Sequence, residues 1–139
     1  MTTPALKDLQ VGDSIPALQL PAISRTTLAL YAGASGDHNP IHIDIDFARN
    51  AGLDDVFAHG MLSAAYVGRL VTDWAGQERL RRLHVRFTGI TQVHDVPLCT
   101  GRVTERFEHE GEPRLRVEVQ CANQNGDVKI LGEAVVAAL

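Results

Sequence analysis

The stretch 61–74 constrains this chain more than any other. Met61, Leu62, Ala64, Ala65, Tyr66, Val67, Leu70 and Val71 cover nearly every face of a helix, and Arg69 is its first charge. A helix that is apolar all round must be enclosed by other structure. Ser63, Ala64, Ala65 and Gly68 are small enough to let that structure approach closely. The residues that follow supply it. Leu83, Val85 and Phe87 alternate with His84 and Arg86, and Leu115, Val117, Val119 and Cys121 alternate with Arg116, Glu118 and Gln120. Val103 and Phe107 lie among Arg102, Glu105 and Arg106, and 128–138 closes the chain. Turn candidates at Gly111-Glu112-Pro113 and across 123–127 separate these runs as hairpin turns do. Period-two alternation implies a sheet with one buried and one wet face. The prediction is an α+β architecture, a long antiparallel sheet wrapped around one buried helix.

Ahead of the helix, 9–20 reads as a lead-in segment and first strand, broken by Gly12 and Pro16. Ser24 is a helix N-cap candidate, because its hydroxyl can accept an orphan N–H of the next turn. Leu28, Tyr31 and Ala32 follow at helical spacing, and Gly33 and Gly36 mark the exit. Asp44 reads as the cap of a second short helix carrying Phe47, Ala48 and Ala51 and stopped at Gly52. No repeat or linker divides the chain, so 1–139 reads as a single domain, long enough to bury about two-thirds of its unfolded surface.

Composition excludes several function classes. A net charge of −4 argues against a nucleic-acid surface, which carries a basic excess. The longest apolar stretches, 61–68 and 134–139, fall far short of the ~20 residues a membrane-spanning helix needs. The start M-T-T-P-A-L-K-D has no basic and apolar leader pattern, which predicts a cytoplasmic protein. Cys99 and Cys121 stand apart from any C-x-x-C spacing and read as buried small hydrophobes in a reducing compartment.

The polar residues concentrate between Tyr31 and Met61. Asp37 and His42 are the candidate catalytic pair. Fully extended, the five steps between them span roughly 17 Å, too far to share a water. Asn39-Pro40 supplies a bend, since proline sets its own φ and drives the preceding residue out of helix. An Asp and a His converging after such a corner can hold a water and move its proton. Equally, Asp37 could cap a turn while Asn39 and His42 satisfy loop backbone groups. Gly60 opens the apolar helix, where free N–H groups face outward and can stabilise a carbonyl oxygen gaining charge. It could instead serve only a tight turn. His38, His42 and His59 match no usual zinc spacing, so no metal is expected. His84, His94 and His109 read as surface residues. Arg79, Arg81 and Arg82, with Arg69 and Arg86, form the one local basic excess, which suits either coenzyme phosphates, an acidic carrier or plain solvent.

Taken together, Tyr31-Ala-Gly-Ala-Ser-Gly-Asp37-His-Asn39-Pro40-Ile-His42 and His59-Gly60-Met61 resemble the MaoC-like dehydratase family, which includes the R-specific enoyl-CoA hydratases. The likeness is strongest to the catalytic subunits of mycobacterial 3-hydroxyacyl-carrier-protein dehydratases and runs to G-E-A-V-V-A near the end. It implies a hot-dog fold acting as a homodimer, or as a heterodimer with a related hot-dog subunit. It implies reversible hydration of a trans-2-enoyl thioester of coenzyme A or a carrier protein to the (R)-3-hydroxyacyl thioester, with no cofactor. Asp37 and His42 would activate the water and the Gly60 amide would bind the thioester oxygen. Asn39 would hold the loop, and Asn39, His59 and Met61 would lie against substrate. Gly68 departs from members that carry a serine there, which bears on acyl specificity. A hot-dog thioesterase, or a subunit active only in a heteromer, are the alternatives.

Overall fold

Residues 3–139 are described by a computed structural model, and the start M-T of the expected leader-poor N-terminus lies outside the described residues. Helix α3 (Gly60–Ala75) runs across an antiparallel sheet of five strands in the order β1-β3-β4-β5-β2. The strands are β1 (Leu18–Gln19), β2 (Leu80–Phe87), β3 (Leu98–His109), β4 (Glu112–Ala122) and β5 (Val128–Ala137). Two shorter helices, α1 (Arg25–Ser35) and α2 (Ile45–Asn50), precede α3.

Register makes the two sheet faces explicit. Val103, Val117, Ala134 and Leu83 lie side by side in one row, and the first three are at most 1% exposed. The next row reads Arg102, Glu118, Glu133 and His84, and it faces away. Leu62, Val67, Leu70 and Val71 of α3 are buried. Each such fully buried side chain contributes about 1.5–3 kcal/mol relative to exposure. Register shifts between Leu80 and Arg82, Val103 and Glu105, and Cys121 and Ala122 interrupt the ladders. Such shifts bend strands and increase twist, which suits a sheet curled around a helix. The structure is the curved α+β hot-dog arrangement expected.

Details differ from the sequence reading. The lead-in segment forms a regular strand only over the two residues of β1 and otherwise follows β3 through separate backbone bonds, such as Gly12 N–H to the Val103 carbonyl and Ile15 N–H to the Gly101 carbonyl, because Gly12, at φ 96°, and Pro16 interrupt it. Helix α3 is not enclosed on every side: Met61, Ala65, Arg69 and Asp73 form an exposed i, i+4 stripe. Alanine reads as apolar in a pattern yet covers so little area that exposure costs little. Arg69 and Asp73 pair along this stripe at 3.7 Å. Gly33 lies inside α1, and Gly36, at φ 78°, ends it. The β3–β4 turn is Glu110-Gly111, both at positive φ, so Glu112 and Pro113 already belong to β4. Two residues at positive φ give the turn whose twist matches the strands. Cys99 and Cys121 are buried as expected but stand directly opposite each other across β3 and β4. The Cys99 thiol is pushed up by its partner Cys121 and by burial.

Candidate active site

Capping chemistry shapes the segment that carries the polar cluster. Ser24 accepts the Thr27 N–H at 3.0 Å and starts α1. After Gly36 turns the chain, an Asp37 carboxylate oxygen accepts the Asn39 N–H at 3.2 Å, and the Asn39 side chain accepts the Ile41 N–H at 3.1 Å. Pro40 then begins a single 3₁₀ turn, Pro40–His42, which swings His42 back toward Asp37. Asp44 accepts the N–H groups of Asp46 and Phe47 and starts α2. The turn-capping roles foreseen for Asp37 and Asn39 are therefore real, and they bring the two candidate catalytic side chains together.

A carboxylate oxygen of Asp37 and ring nitrogens of His42 and His59 lie within 4.8 Å of one another. Among the described residues no direct hydrogen bond joins the Asp37 carboxylate to the His42 ring. Two hydrogen bonds of ordinary length, about 2.8 Å each, span such a gap through one water. His42 is 8% exposed and Asp37 is exposed, so a buried imidazole faces a solvent-exposed carboxyl group. His42 Nδ1–H donates to the Phe57 carbonyl at 2.7 Å, because a carbonyl can only accept. That bond sets the tautomer and leaves Nε2 as the basic nitrogen. The Phe57 ring meets the His42 ring edge-on at 5.0 Å.

His59 sits behind both. It is 2% exposed, its ring stacks on His42 at 3.9 Å, and Tyr31 meets it edge-on at 4.8 Å. Its Nε2–H donates to the Asp37 backbone carbonyl at 3.1 Å. Burial pushes its imidazole below the usual range and so disfavours the charged form. His38, in contrast, is exposed and outside the cluster. His59 Nε2 is committed to the Asp37 carbonyl, and its Nδ1 is sealed from solvent with no hydrogen-bond partner among the described residues.

Gly60 opens α3 directly after His59, and among the described residues its N–H meets no acceptor. Its φ is not positive, so tight turning is not what requires glycine here. A Cβ at Gly60 would lie 3.1 Å from the Phe87 ring, so the missing side chain makes room for that aromatic. A cavity of about 190 Å³ opens alongside, lined by Phe57, Gly60, Ser63, Phe87, Ile90 and Thr91 among others. Met61 is 61% exposed on the first turn of α3. His84, His94 and His109 are exposed, as expected. Of the basic excess, Arg69, Arg79 and Arg81 pair with Asp73, Glu78 and Glu112, while Arg82 and Arg86 are exposed.

Two supports escaped the sequence reading. The Phe57 carbonyl orients His42, and a backbone acceptor leaves no mark in residue type. Arg25 grips Asp55 with two hydrogen bonds, tying the start of α1 to the strand-like segment before His59. Arg25 holds the Asp55 carboxyl below the usual range.

Comparison with known proteins places this arrangement. The profile described as "MaoC like domain" matches residues 10–125. The chain belongs to the MaoC-like family. An (R)-specific enoyl-CoA hydratase of Rhodospirillum rubrum is 35% identical over 132 residues, covering 94% of this chain and 88% of that protein. The fatty acid synthase subunit beta of Saccharomyces cerevisiae is 32% identical over 92% of this MaoC-like chain, which spans only 6% of that subunit's length. Among solved structures, the R-hydratase PhaJ1 of Pseudomonas aeruginosa superposes with a TM-score of 0.83 at 29% identity, covering 96% of this chain and 84% of that one. The ChsH1-ChsH2 complex of Mycobacterium tuberculosis gives 0.78 at 26% identity, over 94% and 98%.

Proposed function

We propose that the protein hydrates a trans-2-enoyl thioester to the (R)-3-hydroxyacyl thioester, and runs the reverse dehydration. The reading rests on one observation: Asp37 and His42, five residues apart in an irregular loop, converge to within 4.8 Å beside the free amide of Gly60. The names of the R. rubrum and P. aeruginosa relatives support the reaction class and its stereochemistry.

Asp37 and the basic Nε2 of His42 hold a water between them. As the water oxygen bonds to the β-carbon, its proton passes to the dyad, and the double-bond electrons move toward the thioester carbonyl. The Gly60 N–H receives the oxygen as it becomes enolate-like. A proton from the dyad then reaches the α-carbon, so the reaction closes with no cofactor. General acid–base catalysis supplies about 10²–10⁴-fold. One oxyanion donor supplies roughly 2.7–4 kcal/mol more. Asn39 holds the loop and Met61 borders the approach to Gly60. The acyl group is carried by coenzyme A or a carrier protein.

A second reading, activity only in a dimer of this chain or in a heteromer with a related hot-dog subunit, draws support from two observations. The ChsH1-ChsH2 neighbour is a two-component complex. The cavity beside Gly60, about 190 Å³, is smaller than the roughly 300–1,000 Å³ of complete ligand pockets.

The test is loss of the enoyl-thioester ultraviolet absorbance with crotonyl-CoA and a longer enoyl-CoA, followed by chiral analysis of the product. Turnover to the (R) alcohol is expected. An intact thioester that is cleaved to the free acid, or never consumed by the chain alone or with a hot-dog partner, contradicts the proposal.

A further inference from the structure

We infer that His59 is a positioning residue that holds Asp37 and His42 in one working geometry through its Nε2–H bond to the Asp37 carbonyl. The inference rests on the hydratase reading above and assigns His59 a place behind the site instead of against substrate.

Its burial, its hydrogen bond and its packing carry the inference. With 2% exposure, His59 has no surface to offer a substrate. Its Nε2–H meets the backbone carbonyl of Asp37, the residue whose side chain must aim at the water. Among the described residues the carboxylate itself accepts one hydrogen bond, from the Asn39 N–H two residues away on the same exposed loop. On its other side the ring stacks against His42 at 3.9 Å, with an interplanar angle of 28°. His42 is thus confined between His59, the Phe57 ring and the Phe57 carbonyl. Tyr31, on α1, packs edge-on against His59 and limits its rotation. Finally, His59 is the residue before Gly60, so one rigid corner sets the position of all three working groups.

Histidine suits this post better than its neighbours in size. A phenylalanine reproduces the stack but cannot donate to the carbonyl. A glutamine reproduces the donor but not the aromatic face. Burial disfavours a positive charge on the His59 ring, which stacks directly against His42.

His59→Phe and His59→Gln separate these contributions. Loss of the Asp37 tether shifts the carboxylate, and a misplacement of about 1 Å costs on the order of 100-fold in rate. His59→Phe should therefore lose turnover of crotonyl-CoA by about that factor in kcat, with KM within about threefold of wild type, because substrate contacts are untouched. His59→Gln, which restores the donor, should recover most of kcat. A loss carried by KM, equal impairment of both variants, or a folded His59→Phe with wild-type kcat overturns the inference.

Backbone amide exchange over 38–42 provides a readout independent of turnover. His59→Phe should speed exchange there while leaving β3 and β4 protected, and His59→Gln should not. If the wild-type protein hydrates no enoyl thioester, the functional reading fails, and exchange still decides whether His59 tethers the loop. Unchanged exchange in His59→Phe removes the tether.

Discussion

In the sheet, Val103, Val117 and Ala134 fill one inward row, held by burial that other residues of similar volume would supply. In the loop 36–42, Asp37, Asn39 and His42 each make a hydrogen bond through a polar side-chain atom. The sheet resists change through many interchangeable apolar contacts, and the loop through a few specific polar ones. Damage to the first should therefore appear as lost stability. Damage to the second should appear as lost rate in a protein that still folds.

The sharpest break of that comparison is Asp37→Asn. The amide oxygen can still accept the Asn39 N–H, so the loop keeps its cap, while the carboxylate to which the proposed mechanism gives water activation is gone. Turnover should fall by about 10²–10⁴-fold with little change in melting temperature. A variant that unfolds early instead would show the loop to be part of the stabilising framework.

Gly132→Ala tests the opposite region. Its Cβ would sit 2.4 Å from the His84 carbonyl oxygen on the neighbouring strand, and backbone cannot step aside as a side chain can. A loss of about 1–3 kcal/mol in denaturant unfolding is expected. Rate per folded molecule should hold near wild type.

His94→Gly should act in the reverse direction. His94 is held at φ 77°, which costs an L-residue about 1–2 kcal/mol. Glycine removes that cost but gives back about 0.5–1 kcal/mol through its freer unfolded chain. A gain of roughly 0.5–1 kcal/mol remains, read by the same titration.

The smallest effect lies on the wet face. Arg81 and Arg114 hold the Glu112 carboxyl down at about 2 against a usual 4.5. A depressed carboxyl stabilises the fold above its unfolded pKa and loses that contribution as pH falls through the folded one. Stability should therefore decline between about pH 4.5 and 2, and Glu112→Gln should flatten that slope slightly. The pair is exposed, so solvent screening keeps the change small.

The same contrast explains what was legible in the sequence. Helix α3 and the strands could be read because burial imposes a period, and the period survives in residue order. Asp37, His42 and Gly60 stood out by type and by their likeness to a known pattern. The corner at Asn39-Pro40 that lets Asp37 and His42 converge was readable from residue type, whereas the Phe57 carbonyl that orients the His42 ring was not. The exposed edge of α3 was missed because Met61 and Ala65 count as apolar without being buried. Gly60 was weighed as a turn residue, whereas its structural constraint is a close approach, with a Cβ there 3.1 Å from the Phe87 ring. Contacts between distant residues, such as Arg25 with Asp55, leave no local periodic trace.

The central claim is that Asp37 and His42 act as one unit on one water. The direct measurement is kcat/KM for crotonyl-CoA in Asp37→Asn, His42→Gln and the double variant, with folding checked by melting temperature. Groups that work together are strongly non-additive. The account predicts that each single variant loses at least about 100-fold and that the double variant is no slower than the worse single. A double variant whose loss equals the product of the two single losses would contradict it.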